Sequence, residues 1–112
     1  MITPNNPWII PSFNESFSDY ARSCKQLVTS RRTDLTSLHK NTIITANIPY
    51  ELQPQGEAEA GVLLIHGLLD CPFSVRDLGL ALQKEGYWCS SVLLPGHGTT
   101  PADLLTVHFE DW

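Results

Sequence analysis

The sequence predicts an α/β fold built on parallel strands, and three observations indicate it. A short continuous apolar run, 61–65, is typical of a strand buried on both faces of a sheet, and residues 87–94 form a second predicted strand. A segment with helical periodicity, 73–85, separates them. A strand, a helix and a strand within about 35 residues form one right-handed βαβ unit, so the two strands are expected to be parallel.

The composition is that of a folded chain with one domain. The 112 residues are 42% apolar and 17% charged, which is too apolar and too weakly charged for a disordered chain. The net charge of −5 provides no basic stripe, so we expect no nucleic-acid partner. No apolar run approaches the roughly 20 residues that span a bilayer, and no signal peptide is predicted. The three cysteines are widely spaced, which predicts a reducing, cytoplasmic location.

The first predicted element is an amphipathic helix that runs from about Phe13 to Ser30. Its apolar residues recur at steps of three, four and seven, and Ser12 with Glu15 forms a capping box before it. We expect the helix to pack on a neighbouring core, because its polar face is mixed rather than rich in Lys and Arg. Residues 1–40 are therefore predicted to be an N-terminal helical extension.

A strand is predicted next, over residues 42–48, because β-branched side chains dominate this segment. Residues 50–52 continue it after Pro49, which has no amide donor and therefore predicts a sheet edge or a bulge.

The βαβ unit follows, and its helix, 73–85, is expected to stop at Gly86. Pro101 opens a further helix, or a loop that leads into one. Four residues form the predicted inward stripe of the central helix: Val75, Leu78, Ala81 and Leu82.

Two glycine-bearing turns follow the two strands: His66-Gly67-Leu68 and Gly96-His97-Gly98. In an open parallel sheet, ligands bind beyond the carboxyl ends of the strands. Gly67 allows a tight turn with positive φ and a close approach of a ligand to the backbone. The amide of Leu68 is then free to face developing negative charge, as an oxyanion hole requires. A glycine that serves only the turn is the plainer alternative.

Both turns belong to a set of segments that carry a family resemblance. These segments are 61–70, Arg76-Asp77-Leu78-Gly79, Gly86-Tyr87, 93–99 and Asp111-Trp112. The chain resembles the α/β-hydrolases over residues 48–112. More narrowly, it resembles the N-terminal part of the carboxylesterase and monoacylglycerol-lipase branch, which includes serine aminopeptidase-like domains. The resemblance implies that 41–112 form an incomplete α/β-hydrolase domain that stops before the nucleophile elbow.

The resemblance also implies roles for individual residues. The Leu68 N–H would be the first donor of the oxyanion hole, supported by His66 and Gly67. Three residues would line the mouth of the acyl pocket: Leu69, Asp70 and Cys71. Gly96, His97 and Gly98 would form a structural loop beside the active site.

The sequence contains no Gly-x-Ser-x-Gly elbow, which the family's mechanism needs together with an acid and a histidine. No residue of the triad is therefore assigned. A local triad of His66, Asp70 and Ser74 is not favoured, because Ser74 is expected to cap the following helix. His66 and His97 are expected to hydrogen-bond to loop backbone, and the other two histidines to be exposed. Metal-ligand and nucleotide-binding spacings are absent, so no metal and no cofactor is predicted.

The leading hypothesis is the N-terminal fragment of a serine hydrolase that acts on carboxylic esters, of esterase or lipase type. It would bring the oxyanion-hole turn to a small acyl-ester substrate, and it would be inactive alone because it lacks the triad. The alternative is a non-catalytic α/β-hydrolase-like binding module or a truncated gene product. Because the family places a further strand beside 62–65, an exposed apolar edge is expected there.

Overall fold

The computed structural model describes residues 8–12 and 14–112. Within them, four α-helices and three strands follow one another along the chain: α1 (Phe17–Arg31), α2 (Lys40–Ala46), β1 (Glu51–Leu52), β2 (Gly61–Leu64), α3 (Arg76–Lys84), β3 (Trp88–Ser91) and α4 (Pro101–Leu104). Short 3-10 segments occupy Pro72–Val75 and Phe109–Asp111. No helix in this described part is both long enough and apolar enough to cross a membrane.

The three strands form one mixed sheet in the order β1-β3-β2. β2 is parallel to β3, with Val62 opposite Cys89. β1 is antiparallel to β3, with Leu52 opposite the same cysteine. The parallel pair joined by a helix confirms the predicted α/β class. Pro49 lies two residues before β1, which is an edge strand, where a residue without an amide donor is tolerated.

The crossover between β2 and β3 consists of the first 3-10 segment followed by α3. A Schellman motif ends α3: the Tyr87 N–H donates to the Leu82 carbonyl at 3.1 Å, and the Gly86 N–H donates to the Gln83 carbonyl at 3.1 Å. Gly86 adopts a φ of +94°, which glycine reaches without steric cost. The predicted helix and its predicted stop are therefore confirmed.

The inward face of α3 differs from the predicted stripe. Leu78 is 57% exposed and Ala81 is also exposed, whereas Gly79 is buried against the sheet. A Cβ at Gly79 would lie 2.7 Å from the Leu64 Cδ1 atom and 3.0 Å from the Leu52 Cδ1 atom. Because Gly79 has no side chain, this face of the helix packs closely on the sheet. Leu78 and Ala81 therefore lie on the exposed side of the helix.

Two apolar clusters form the core. The larger one joins α1 to α2 and to the segment after β3: Ile9, Tyr20, Cys24, Leu27, Val28, Ile44 and Leu93. The smaller one contains Leu52, Leu64 and Cys89, with Val75 and Leu82 packed against it from the crossover. The N-terminal helix therefore shares its core with the residues that follow the central strand.

The helix α1 begins later than predicted. Ser16 is its N-cap, and the Ser16 hydroxyl accepts the Asp19 N–H at 3.1 Å. Ser12 and Glu15 contact each other one turn earlier, where the Ser12 N–H donates to Glu15 Oε2 at 3.3 Å. Phe13, the first residue of the predicted helix, lies outside the described residues. The later serine sets the start because it satisfies a free amide of the first turn.

The predicted strand at 42–48 is wrong, because this segment forms α2 and the turn after it. Ile44 and Asn47 are buried and Ile48 is half-buried, a spacing that belongs to one face of a helix. Packing of that face against α1 overrides the preference of β-branched residues for strands.

β2 lies at the open edge of the described sheet and pairs with β3 alone. Leu63 is 59% exposed and Ile65 is 58% exposed, so the expectation that this strand is buried on both faces is wrong. The expectation of an exposed apolar edge at 62–65 is confirmed for these two residues.

Candidate functional site

The turn after β2 and the loop after β3 meet at one groove of about 310 Å³. The turn contributes Leu69, Asp70 and Cys71 to this groove. The loop contributes three further residues predicted from the sequence: Gly96, His97 and Gly98. The carboxyl ends of the two parallel strands thus bring the two predicted motifs together, as the topology requires.

The turn after β2 begins with two amides, those of Gly67 and Leu68, for which the described residues provide no acceptor, and three bonded amides follow them. The Leu69 N–H donates to His97 Nε2 at 3.1 Å, and the Asp70 N–H donates to the Gly67 carbonyl at 3.2 Å. The Cys71 N–H donates to Asp70 Oδ1 at 2.8 Å. Among the described residues, the Leu68 N–H finds no acceptor. This amide is therefore available to an incoming acceptor.

The left-handed residue of this turn is Leu69, with a φ of +62°. The sequence places the positive φ at Gly67, and this prediction is wrong. A Cβ at Gly67 would meet no atom within 4 Å, so the turn does not require a glycine there. A leucine in this conformation costs roughly 1–2 kcal/mol, which the hydrogen bond from its own N–H to His97 helps to offset.

His66 and His97 are buried, with 3% and 5% of their surfaces exposed. The His66 Nε2 atom accepts the Leu94 N–H at 3.0 Å, and its Nδ1 faces the Gly67 carbonyl at 2.9 Å. The two rings lie edge to face, with centroids 4.9 Å apart. The expected bonds from both imidazoles to loop backbone are confirmed, as is the exposure of His39 and His108.

The loop after β3 depends on its two glycines. Gly96 has a φ of +82° and Gly98 a φ of +78°. A Cβ at Gly96 would lie 2.5 Å from the Val107 Cγ2 atom. The loop therefore needs glycine both for its backbone conformation and for the close approach of the following segment.

The end of α1 supplies groove contacts that sequence reasoning missed. Arg32 lines the groove, and its Nη1 donates to the Gly98 carbonyl at 3.3 Å. Arg31 forms a bidentate pair with Asp103 of α4, with 2.9 Å between Nε and Oδ2. The arginine pair lowers the pKa of Asp103 to about 2. No local signal could reveal this pair, because 72 residues separate its partners.

Burial and hydrogen bonds set the protonation of the site. Burial is the largest cause that lowers the pKa of His66. The Cys71 N–H that Asp70 accepts is the largest cause that lowers the pKa of that carboxyl. The imidazole is therefore neutral and the carboxylate charged near neutral pH.

The described residues do not form a local triad. Ser74 donates its hydroxyl to the Cys71 carbonyl at 3.0 Å, and α3 begins after Val75 with no side-chain hydrogen bond at its N-cap, so the predicted cap by Ser74 is wrong. Both nitrogens of His66 already face backbone groups, which leaves no base for Ser74. No cluster of three His, Cys, Asp or Glu residues suited to a metal ion occurs within the described ranges.

No protein-family model matches the sequence. Two curated relatives from bacilli match about half of the chain. A thermostable monoacylglycerol lipase of Bacillus sp. (strain H-257) is 44% identical over 52 residues, which are 46% of this chain and 21% of the relative. A carboxylesterase of Bacillus subtilis (strain 168) is 39% identical over 54 residues, which are 48% of this chain and 22% of the relative. The chain thus spans less than a quarter of each relative.

One solved structure supports the same relationship at the level of the fold. A chain from a study of two metagenome-derived lipolytic enzymes superposes with a TM-score of 0.51 and 34% identity. The superposition covers 60% of this chain and 26% of that chain. Over this partial region, the chain is related to α/β-hydrolases of the esterase and lipase type, and its helices and mixed sheet correspond to an N-terminal portion of that fold.

Proposed function

We propose that this chain supplies the oxyanion-hole turn of a serine hydrolase that acts on carboxylic esters, of esterase or lipase type. One observation carries the proposal. The Leu68 N–H has no acceptor within the described chain, although the next three amides are all bonded. It lies just beyond the carboxyl end of β2, where an open parallel sheet binds its ligands. The relatives named lipase and carboxylesterase support a small acyl ester as the substrate.

The chemistry explains why one unoccupied amide matters. When a serine attacks an ester, the carbonyl oxygen gains negative charge, and backbone N–H groups that already point at it lower the barrier. Leu68 would donate one of these hydrogen bonds. The second amide and the serine come from a Gly-x-Ser-x-Gly elbow, which these 112 residues do not contain. We therefore expect the 112 residues alone to be inactive toward esters.

The neighbouring residues have proposed roles that follow from their positions. Leu69, Asp70 and Cys71 would border the acyl group, since they line the groove and follow Leu68 directly in the chain. Leu69 is 81% exposed, so its side chain is available to contact an acyl chain. The loop with Gly96, His97 and Gly98 would form the opposite wall.

The remaining parts of the proposal concern organisation and location. Residues 1–40 would form a helical extension, and 41–112 the hydrolase-like part. The Tyr20 hydroxyl accepts the Leu93 N–H at 3.1 Å, which supports a bracing role for the extension. A reducing, cytoplasmic compartment is supported by the three cysteines, all of which are free thiols.

A chimaera tests the role of Leu68. The segment of this chain that matches the Bacillus subtilis carboxylesterase replaces its counterpart there, and hydrolysis of a short-chain chromogenic ester is measured. Replacing the Leu68 amide by a backbone ester through semisynthesis removes this N–H, and it also weakens the Gly67 carbonyl as the acceptor of the Asp70 N–H. We expect kcat/KM to fall by about 10²- to 10³-fold. Leu68→Ala keeps the N–H and serves as the matched control, with a change of only a few-fold expected.

Two outcomes would contradict the proposal. Full activity of the backbone-ester chimaera would show that the Leu68 N–H does not act in the oxyanion hole. Ester turnover by the 112 residues alone, blocked by a serine-directed phosphonate, would contradict their expected inactivity. Tight binding of an acyl ligand by the 112 residues, together with an inactive chimaera, would favour a binding module instead.

A further inference from the structure

The two buried histidines are joined to the two loops in a reciprocal way. His66 belongs to the turn after β2, yet its Nε2 accepts the Leu94 N–H of the segment after β3. His97 belongs to the loop after β3, yet its Nε2 accepts the Leu69 N–H of the turn after β2. Each ring therefore holds a backbone amide of the opposite segment.

The second nitrogen of each ring faces a carbonyl of its own segment. The distance from His66 Nδ1 to the Gly67 oxygen is 2.9 Å, and from His97 Nδ1 to the Pro95 oxygen 3.2 Å. A nitrogen that accepts an N–H carries no proton, so the proton of each neutral ring must reside on Nδ1. A single protonation state, with both rings neutral, satisfies all four hydrogen bonds.

A proton added to either ring would disrupt this arrangement. It would have to bind at Nε2, where it would face a backbone N–H donor and leave that amide without an acceptor. The 4.9 Å between the ring centroids also opposes a positive charge on both rings at once.

We propose that His66 and His97 form a proton-sensitive clasp: the neutral pair fixes the turn after β2 against the loop after β3, and protonation of either ring releases it. The clasp holds the Leu69 N–H, and Leu69 is the residue in the left-handed conformation next to the Leu68 amide. His97 is therefore a positioning residue for Leu68. This consequence rests on the proposed function, whereas the clasp itself does not.

Among the influences on the pKa of His66, burial is the largest and lowers it. The neighbouring His97 also lowers the pKa of His66, whereas the hydrogen bond to the Gly67 carbonyl and the charge of Asp70 raise it. From α1, Arg32 reaches the groove but is paired with Asp34 at 2.7 Å. Two other groups lie near the clasp. The Cys71 thiol borders the groove. Asp111 accepts the His108 N–H at 2.8 Å, and the ring centroid of its neighbour Trp112 lies 6.1 Å from that of His97.

Nuclear magnetic resonance of the 112-residue chain tests the clasp without any catalytic assay. Amide shifts and hydrogen exchange of Leu69 and Leu94 are followed from about pH 8 to about pH 5, together with the four imidazoles. We expect each amide to lose protection as the ring that accepts it gains a proton, and because burial lowers the pKa of His66, the midpoint for Leu94 should lie below the ordinary histidine value of 6.5. His39 and His108 are exposed and provide the internal reference. Constant Leu69 and Leu94 signals through the titration of His66 and His97 would overturn the proposal.

Two variants separate the acceptor from the proton. His97→Gln keeps an acceptor that does not titrate, so the Leu69 amide should stay protected while its pH dependence is lost. His97→Phe removes the acceptor, so protection of that amide should fall at least tenfold at every pH. His39→Gln is the matched control and should behave like the parent chain.

A Leu69 amide in His97→Gln that keeps its full pH dependence would also overturn the proposal, even if His97→Phe fails to fold. The proposed function fails separately, through the Leu68 backbone ester in the chimaera. A lost pH response would leave the role of Leu68 intact, and an inert Leu68 would leave the clasp intact.

Discussion

The turn after β2 is exposed and the loop after β3 is buried, although the two touch through His66 and His97. Leu68 is 64% exposed and Leu69 81% exposed, whereas His97 is 5% exposed. The exposed turn accepts a left-handed leucine and leaves an amide without a partner. The buried loop has glycines at its left-handed positions. The difference indicates two separate roles. The buried loop fixes the backbone conformation of the site, and the exposed turn leaves the Leu68 amide open to a ligand.

Gly96→Ala should have the largest effect on stability, because it distorts the buried loop after β3. The new Cβ would press against Val107 and would force a left-handed alanine. We expect a loss of about 3 kcal/mol in the free energy of unfolding, measured by urea denaturation. Glycine 56 also has a positive φ but meets no atom within 4 Å, so Gly56→Ala is the matched control and should cost about 1 kcal/mol. Equal losses in the two variants would show that close packing contributes nothing at Gly96.

Asp103→Asn should have the next largest effect, because it breaks the pair that ties α1 to the segment after the buried loop. Removing a charged acceptor that is 7% exposed leaves Arg31 unpaired, with an expected loss of about 2 kcal/mol. Asp19, also paired with an arginine but 54% exposed, provides the control, and Asp19→Asn should cost clearly less than Asp103→Asn because solvent screens an exposed pair. An equal loss in both variants would contradict a special role for the buried pair.

The same carboxyl predicts a dependence of stability on pH. The pKa of Asp103 is lowered to about 2 from 3.8, so the folded state binds this proton less readily than the unfolded state. Its contribution is complete above about pH 4 and is lost as the pH falls through about 2. Asp103→Asn should flatten this part of the acid denaturation curve, and an unchanged curve would count against the pair.

Leu69→Asn changes the exposed turn after β2. It should have a smaller effect, and it should raise stability rather than lower it. Asparagine tolerates the left-handed region better than leucine, and an exposed side chain loses little packing. We expect a gain of about 0.5 to 1 kcal/mol in thermal denaturation. A clear loss would mean that the Leu69 side chain packs in solution.

Gly67→Ala is the mildest change, because Gly67 lacks a positive φ and its Cβ would enter open space. We expect a change within about 0.5 kcal/mol, with a slight gain from the lower entropy of the unfolded chain. A loss above about 1 kcal/mol would show that the exposed turn needs this glycine after all.

Local patterns were sufficient for the parallel pair and for the end of α3 at Gly86, because both depend on neighbouring residues. They failed at 42–48, where the buried face of α2 is defined by packing against α1. The candidate site shows the same limit. The two glycine-bearing turns could be found by their positions after strands. The crossed histidine bonds could not be found, because 28 residues separate each ring from the amide that it accepts.

The three thiols differ in burial, so one of them can carry a spectroscopic label at the groove. Burial raises the pKa of Cys24 to about 12 and also raises that of Cys89, so both remain protonated and shielded in the folded chain. Cys71 is half-buried and borders the groove. We therefore expect a thiol-reactive fluorophore to modify this position selectively, without any substitution in the chain. Its emission reports on the space between the two loops while the pH or an acyl ligand is varied.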